Sequence, residues 1–234
     1  MTDKWLHIEE TCGDPWILPI WASVNSAVQK GKINDLPNEV YEMGIHISTR
    51  LNILPRIVSR INTEVTELFS IAERHEETNV FTTAEEGYAL GINNDLKYNL
   101  ICDIDSLLFE LNSVCELMTK LFESLYSHVG KALKKEKVGL KIKSIIENAN
   151  QNPSWFNALD KHRNFFTHNG SPYVSIDITR GRGNYELLIM KENLKSFEDE
   201  EKFIRMSMLN EIVQGFVNSK PIIQADIVSL FDAI

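Results

Sequence analysis

Two long apolar stripes constrain the fold of this chain more than any other feature. Both stripes advance in alternating steps of three and four residues, the spacing that places side chains on one face of an α-helix. They cover residues 40–72 and 101–129, and extra apolar residues widen the second stripe to the width of a bundle core. The pattern predicts long helices over 37–76, with a kink at Pro55, and over 101–129.

The rest of the chain predicts shorter elements. Helices are expected at 138–149 and 153–167, and Asn-Gly followed by proline ends the second of them. Alternating apolar residues on either side of "RGRG" predict a β-hairpin over 173–190. A capping signal predicts a last helix over 198–218, and Pro221 is expected to separate it from a terminal helix.

These elements together predict a mainly α fold. We expect an up-and-down helical bundle of long helices with a small late β-hairpin insert, forming a single domain over 1–234. Residues 1–35 precede the first long stripe and are treated as an N-terminal extension, in which 14–30 carries the start signals of a helix. The low counts of glycine (11) and proline (7) agree with long uninterrupted helices.

Composition narrows the class of protein. The net charge of −9 argues against a surface that binds nucleic acid everywhere, although it allows a local basic site. Three widely spaced cysteines imply no disulfide framework and fit a reducing compartment. The first ten residues lack the apolar core of a signal peptide, and "PWILPIW" is too short to span a bilayer. We therefore expect a cytoplasmic protein with no membrane partner.

Common cofactor and metal motifs are missing from the sequence. It contains no phosphate-binding loop, no dinucleotide fingerprint, no nucleophile elbow, no HExxH and no CxxC. Glu42 and His46 are one helical turn apart, but such pairs are common on solvated helix faces. The sequence predicts no cofactor and no metal site.

One short segment carries residues suited to chemistry. In "RNFFTH", Arg163 is followed by Asn164 and, after three more positions, by His168, where a helix is about to end. Histidine can exchange a proton near neutral pH, and arginine presents a permanently charged donor fork that matches phosphate oxygens. On a regular helix Arg163 and His168 point about 140° apart, so one chain alone is poorly arranged to clamp one phosphate.

This segment resembles the signature of the HEPN superfamily, a group of helical nucleotide-binding domains marked by Arg, a polar residue, further positions and then His. The match covers Arg163, Asn164 and His168, and the helical body before it is also similar. The resemblance implies a metal-independent endoribonuclease that acts as a homodimer on RNA or a nucleotide. It implies His168 as general acid or base, Arg163 as transition-state clamp and Asn164 as orienting neighbour. It also implies a prokaryotic defence or toxin–antitoxin setting, with an antitoxin protein as a further partner.

Four other residues are candidates for nucleic-acid contacts. Lys161 and His162 lie next to the motif, and Arg180 and Arg182 lie at the tip of the predicted hairpin. The "RGRG" tip has a simpler interpretation as a turn that needs positive backbone angles. A run of lysines between 131 and 143 offers further positive charge, although such runs are usually solvated corners.

Two alternatives to an enzyme stay open at this point. The same groove could belong to a non-catalytic helical module that binds a nucleotide or a protein partner. The long apolar stripes could instead serve a purely structural dimerisation domain, in which Arg163 forms a surface ion pair and His168 caps the end of its helix.

Overall fold

The computed structural model describes residues 14–78, 82–84, 87–89, 91–168, 173–192 and 199–234. Its α-helices are α1 (Leu18–Gln29), α2 (Asn38–Thr78), α3 (Asn94–His128), α4 (Lys135–Asn148), α5 (Trp155–His168) and α6 (Met206–Asp232). Its strands are β1 (Thr82–Ala84), β2 (Gly87–Ala89), β3 (Tyr173–Asp177), β4 (Glu186–Met190) and β5 (Phe203–Arg205). The predicted mainly α bundle with a small late β insert is confirmed.

Helices α2 and α3 form the longest packed pair of the bundle. Their predicted stripes supply much of the core, with Ile47, Leu100 and Val114 fully buried. Gly44 interrupts the first stripe because Trp21 of α1 occupies the space that a side chain would need. A Cβ atom at Gly44 would lie 2.4 Å from the Trp21 ring. Pro55 lies inside the continuous helix α2.

The segment before α2 belongs to the same core. Asp14 caps a 3₁₀ turn by accepting a hydrogen bond from the Trp16 backbone N–H at 2.9 Å. The indole N–H of Trp16 donates to the Lys220 carbonyl at 2.8 Å, and Ser23 Oγ donates to Asp232 Oδ1 at 2.6 Å. Ile20 is fully buried. The part of the predicted extension that the structure describes is therefore packed against α6.

The late sheet has three antiparallel strands in the order β3-β4-β5. Strands β3 and β4 form the predicted hairpin, with Tyr173 opposite Met190. The predicted start of the last helix was wrong. Phe203 was expected on that helix but instead lies in β5, opposite Met190 of β4. The strand position is favourable because it buries the Phe203 ring with Leu188 and Met190 on one face of the sheet.

The predicted break at Pro221 was also wrong. Helix α6 continues through Pro221 to Asp232. Proline removes the backbone donor that would reach the carbonyl of Val217, but Val217 is an exposed residue, so water can take that donor's place. Buried residues on both sides of the proline, Phe216 and Ile223, hold the two halves of the helix against the same core.

A second short hairpin lies between the two long helices. Strands β1 and β2 pair antiparallel, with Thr83 opposite Tyr88, in a stretch that the sequence predicted only as a polar connection.

Among the described helices, none has an apolar stretch long enough to cross a lipid bilayer.

Candidate functional site

Helix α5 presents the candidate motif and is held in place by its opposite face. Asn152 starts the helix by accepting a hydrogen bond from the Ser154 N–H at 2.9 Å. The residues that face the core are buried at helical spacing: Trp155, Leu159, His162 and Phe165. The Trp155 indole N–H donates to Ser219 Oγ of α6 at 3.1 Å. This anchoring leaves the remaining faces of α5 to the motif residues.

The three motif residues lie on the partly exposed faces of α5. Arg163 is half-buried, and Asn164 and His168 are exposed. The Nη1 atom of Arg163 donates a long hydrogen bond of 3.3 Å to Asn164 Oδ1. His168 is the last residue of the helix. Because α5 stays helical through His168, the Arg163 and His168 side chains diverge by about 140° around the helix axis.

The guanidinium of Arg163 forms no internal polar contact other than the long hydrogen bond to Asn164 among the described residues. Its Nε atom is buried and has no hydrogen-bond partner among the described residues. No carboxylate of the described chain forms an ion pair with it. A buried donor without a partner is unusual, because leaving it unpaired costs free energy. Arg163 as a whole is half-buried and has no carboxylate partner in the described part of the chain, so an anionic ligand would not have to displace an internal ion pair to reach the guanidinium.

Arg163 lines a cleft of about 480 Å³ between α3 and α5. Two aromatic side chains, Phe109 and Phe166, border the same cleft. Phe109 is 52% exposed, and the Arg50 guanidinium lies over its ring at 6.0 Å from the centroid. A cation beside an exposed aromatic ring is an arrangement that can hold a phosphate and a stacked base. His168 is not among the residues that line this cleft.

The cleft also contains negative charge. Asp105 and Glu110 of α3 line it together with Arg163. Arg50 neutralises Glu110 through an ion pair of 2.5 Å, whereas Asp105 is exposed. The Asp105 carboxylate therefore opposes the approach of a polyanion and favours a ligand that meets the cleft at the Arg163 side.

Lys161 and His162, the candidates next to the motif, have different environments. Lys161 is exposed and forms an ion pair with Glu201 at 2.6 Å. His162 is only 6% exposed, and its Nδ1 atom has no hydrogen-bond partner in the described structure. The pKa of His162 is lowered to about 4, first by burial and then by the positive charges of Lys191 and Lys161, against an opposing effect of Glu201. His162 is therefore neutral at pH 7 and withdrawn from the surface.

Arg180 and Arg182, the two arginines of the hairpin tip, lie away from the cleft. Gly181 and Gly183 have φ angles of 77° and 81°, which agrees with the simpler interpretation of "RGRG" as a turn. Arg182 Nε lies 3.7 Å from Glu73 Oε2 near the end of α2. Arg50, which contacts Phe109 and Glu110 of the cleft, lies roughly 35 Å from Glu73 along the same helix, by the helical rise. The structure does not bring the tip and Arg163 into one site.

The sequence missed the aromatic border of the cleft. Phe109 follows the buried Leu108 and lies outside the apolar stripe of α3. A large aromatic residue outside a core stripe was the available signal, but only the packing of α5 against α3 shows what it borders.

No group of three or more histidine, cysteine or carboxylate side chains suited to a metal ion occurs in the parts of the chain that the structure describes. Comparisons of the chain with protein-family models, with curated proteins and with solved structures found no match.

Proposed function

We propose that this protein is a metal-independent endoribonuclease of the HEPN type that acts as a homodimer. Arg163 of one protomer and His168 of the other would contact the same scissile phosphate. The observation that carries the proposal is the state of these two side chains. One is a cation with an unpaired buried Nε atom, the other is an exposed imidazole at a helix end, and they diverge on a single helix.

The chemistry requires three events at one phosphate. The ribose 2′-hydroxyl loses a proton, negative charge develops on the phosphate oxygens, and the leaving 5′-oxygen gains a proton. His168 would transfer protons, since imidazole is the side chain that titrates nearest to neutral pH. Arg163 would stabilise the developing charge with its donor fork. Asn164 would orient the guanidinium through the contact at Nη1.

The aromatic border of the cleft supports RNA as the ligand. Phe109 is exposed enough to stack on an unpaired base next to the phosphate held by Arg163. Recognition of RNA commonly uses unpaired bases stacked on aromatic rings. The proposal therefore includes single-stranded RNA as the substrate class. The prokaryotic defence or toxin–antitoxin setting, the antitoxin partner and the cytoplasmic location implied by the family resemblance belong to the same proposal.

A complementation assay tests the shared site. RNA cleavage is measured in EDTA for wild type, for Arg163→Ala, for His168→Ala and for the two variants mixed after unfolding and refolding together. Each variant alone is expected to be inactive. The mixture is expected to recover roughly a quarter of the wild-type rate, because half of its dimers are mixed and each of those has one intact site.

Two results would contradict this proposal. A mixture that stays inactive, although native mass spectrometry detects the mixed dimer, excludes a site shared between protomers. Wild-type protein that does not cleave any of a diverse set of RNAs in EDTA excludes the metal-independent enzyme.

One observation favours a second candidate function, a non-catalytic module that binds a nucleotide or a protein. Asp105, which has no ion-pair partner among the described residues, shares the cleft with Arg163 and opposes a polyanionic strand more than a compact ligand. In this case Arg163→Ala weakens binding of a ligand in a filter or calorimetric assay, while His168→Ala leaves that binding unchanged and no RNA is cut.

A further inference from the structure

A separate cleft lies between α3 and α4, away from the motif residues. Its volume is about 350 Å³, within the range of small-molecule sites. Its walls include Cys115 of α3, Ile142 of α4 and Phe156 of α5. Phe156 stacks on Trp155 with 3.7 Å between ring centroids, so its position is fixed by the core. The cleft therefore has a firm apolar lining.

Gly139 keeps this cleft open. It lies in the middle of α4, where glycine is less favourable than any residue with a side chain except proline. No atom lies within 4 Å of the position that a Cβ atom would take at Gly139. Packing does not demand a glycine at this position, and a larger side chain would occupy the cleft that Gly139 lines.

The rim of the cleft carries an excess of positive charge. Lys120, Lys135 and Lys143 line it together with Glu116 and Glu123. Glu116 accepts a hydrogen bond from Asn112 at 2.8 Å, and Lys143 donates one to Asn157 at 2.8 Å. Lys120 and Lys135 form no ion pair or hydrogen bond with any described side chain. Their ammonium groups are therefore available to a ligand beside an apolar surface.

We infer that the cleft between α3 and α4 binds a small organic anion with an apolar ring or chain. The apolar body would lie over Gly139 between Ile142 and Phe156. The acidic group would lie at the rim near Lys120 and Lys135. This charge complementarity distinguishes the site from the remainder of a chain with a net charge of −9. The inference is independent of the proposed ribonuclease activity.

A fluorescence titration with 1-anilinonaphthalene-8-sulfonate tests the site, because this probe joins an apolar ring system to one sulfonate. We expect one saturable site on the folded full-length protein. Gly139→Leu fills the cleft and is expected to weaken binding roughly tenfold or more. It should not lower the melting temperature, because leucine favours helix and meets open space. Binding that is unchanged in this variant overturns the inference, as does wild-type protein that shows no saturable site.

Lysine variants separate this site from general attraction to a basic surface. Lys120→Gln and Lys135→Gln are each expected to weaken probe binding about two- to five-fold, the effect of losing one exposed charge contact. Lys137→Gln and Lys141→Gln are matched controls, since both lysines are exposed on α4 and neither lines the cleft. Equal weakening by the control pair would show that the probe responds only to local charge, and would overturn the proposed site.

Discussion

The buried face and the exposed end of helix α5 place two histidines in opposite environments. His162 faces the core between Lys161 and Lys191, and the pKa of its imidazole is lowered to about 4. His168 ends the same helix at the surface. Residue type is the same at both positions, so the difference comes from the contacts that α5 makes with the rest of the molecule.

Helix α5 has one face that holds it in the bundle and another face that carries the candidate motif. Its buried face is anchored through Trp155, Leu159 and Phe165, which positions the backbone. Its outer face carries the candidate motif, in which Asn164 and His168 are exposed and Arg163 is half-buried. We therefore expect changes on the buried face to alter stability and changes on the outer face to alter activity.

The largest expected effect is on catalysis at the exposed end of the helix. His168→Ala is expected to lower the RNA cleavage rate about 10²–10⁴-fold, the usual contribution of a general acid or base. The melting temperature should stay close to that of wild type because His168 is exposed. His162→Gln is the comparison variant, and its folded fraction should cleave RNA at the wild-type rate. The reverse result, with His162 essential and His168 dispensable, would refute the assignment of roles.

The next effect concerns the anchor of the buried face. Gly215 of α6 lies against Trp155, and an added Cβ atom would be 2.5 Å from the indole ring. Gly215→Ala is expected to lower the free energy of unfolding by about 1–3 kcal/mol, because the stacked Trp155 cannot move aside. Chemical denaturation measures this change.

Gly139→Ala is the matched control for that experiment. It also replaces a glycine inside a helix, but its Cβ atom meets open space. The control is expected to raise stability by up to about 1 kcal/mol through helix propensity. Equal effects at the two glycines would show that the contact between Gly215 and Trp155 does not anchor α5.

We also expect His162 to make the free energy of unfolding depend on pH, by an amount similar to the effect of Gly215→Ala. The pKa of the His162 imidazole is about 6.5 in the unfolded chain, the ordinary value, and is lowered to about 4 in the folded chain. Between these values the unfolded state binds more protons, so the free energy of unfolding falls as the pH is lowered. Lowering the pH from 7 to 5 is expected to cost roughly 2 kcal/mol through this group.

Denaturation curves at the two pH values measure the effect, and two variants assign it. His162→Gln should remove this part of the pH dependence. His168→Gln should retain it, because it leaves the buried imidazole in place. A dependence that survives in His162→Gln would show that other groups cause it.

The smallest expected effect is at Asn164. Its Oδ1 atom accepts the long hydrogen bond from Arg163 at the surface. Asn164→Ala is expected to slow RNA cleavage by up to about tenfold, since a hydrogen bond of this kind contributes on the order of 1 kcal/mol. Its stability should match wild type, and Asn157→Ala on the same helix, also exposed, serves as the control for cleavage. Slowing of equal size in both variants would contradict an orienting role for Asn164.

Several elements followed from local sequence pattern alone. The spacing of apolar residues predicted α2 and the end of α3 close to their observed bounds, although α3 begins at Asn94, seven residues before the predicted start at 101. Alternation predicted β3 and β4. The motif helix was expected over 153–167 and is observed over Trp155–His168. These predictions succeed because helices and strands differ in the period with which apolar side chains return to one face.

The errors share a physical cause. Phe203 and Pro221 carry local signals of a helix and of a break, yet Phe203 joins β4 and Pro221 lies inside α6. Partners distant in the chain decided both outcomes, because burial against Met190 and against the bundle core outweighs local preference.

The candidate site also combines features that follow from local sequence pattern and features that depend on tertiary packing. By itself the sequence determined that Arg163, Asn164 and His168 lie on one helix and that Arg163 points away from His168, since the helical period sets those directions. Only the tertiary structure decided that His162 is buried beside two lysines, that Arg163 shares a cleft with Phe109, and that the hairpin arginines lie elsewhere. Burial and the electrostatic environment depend on which elements pack together, and local periodicity carries no information about that packing.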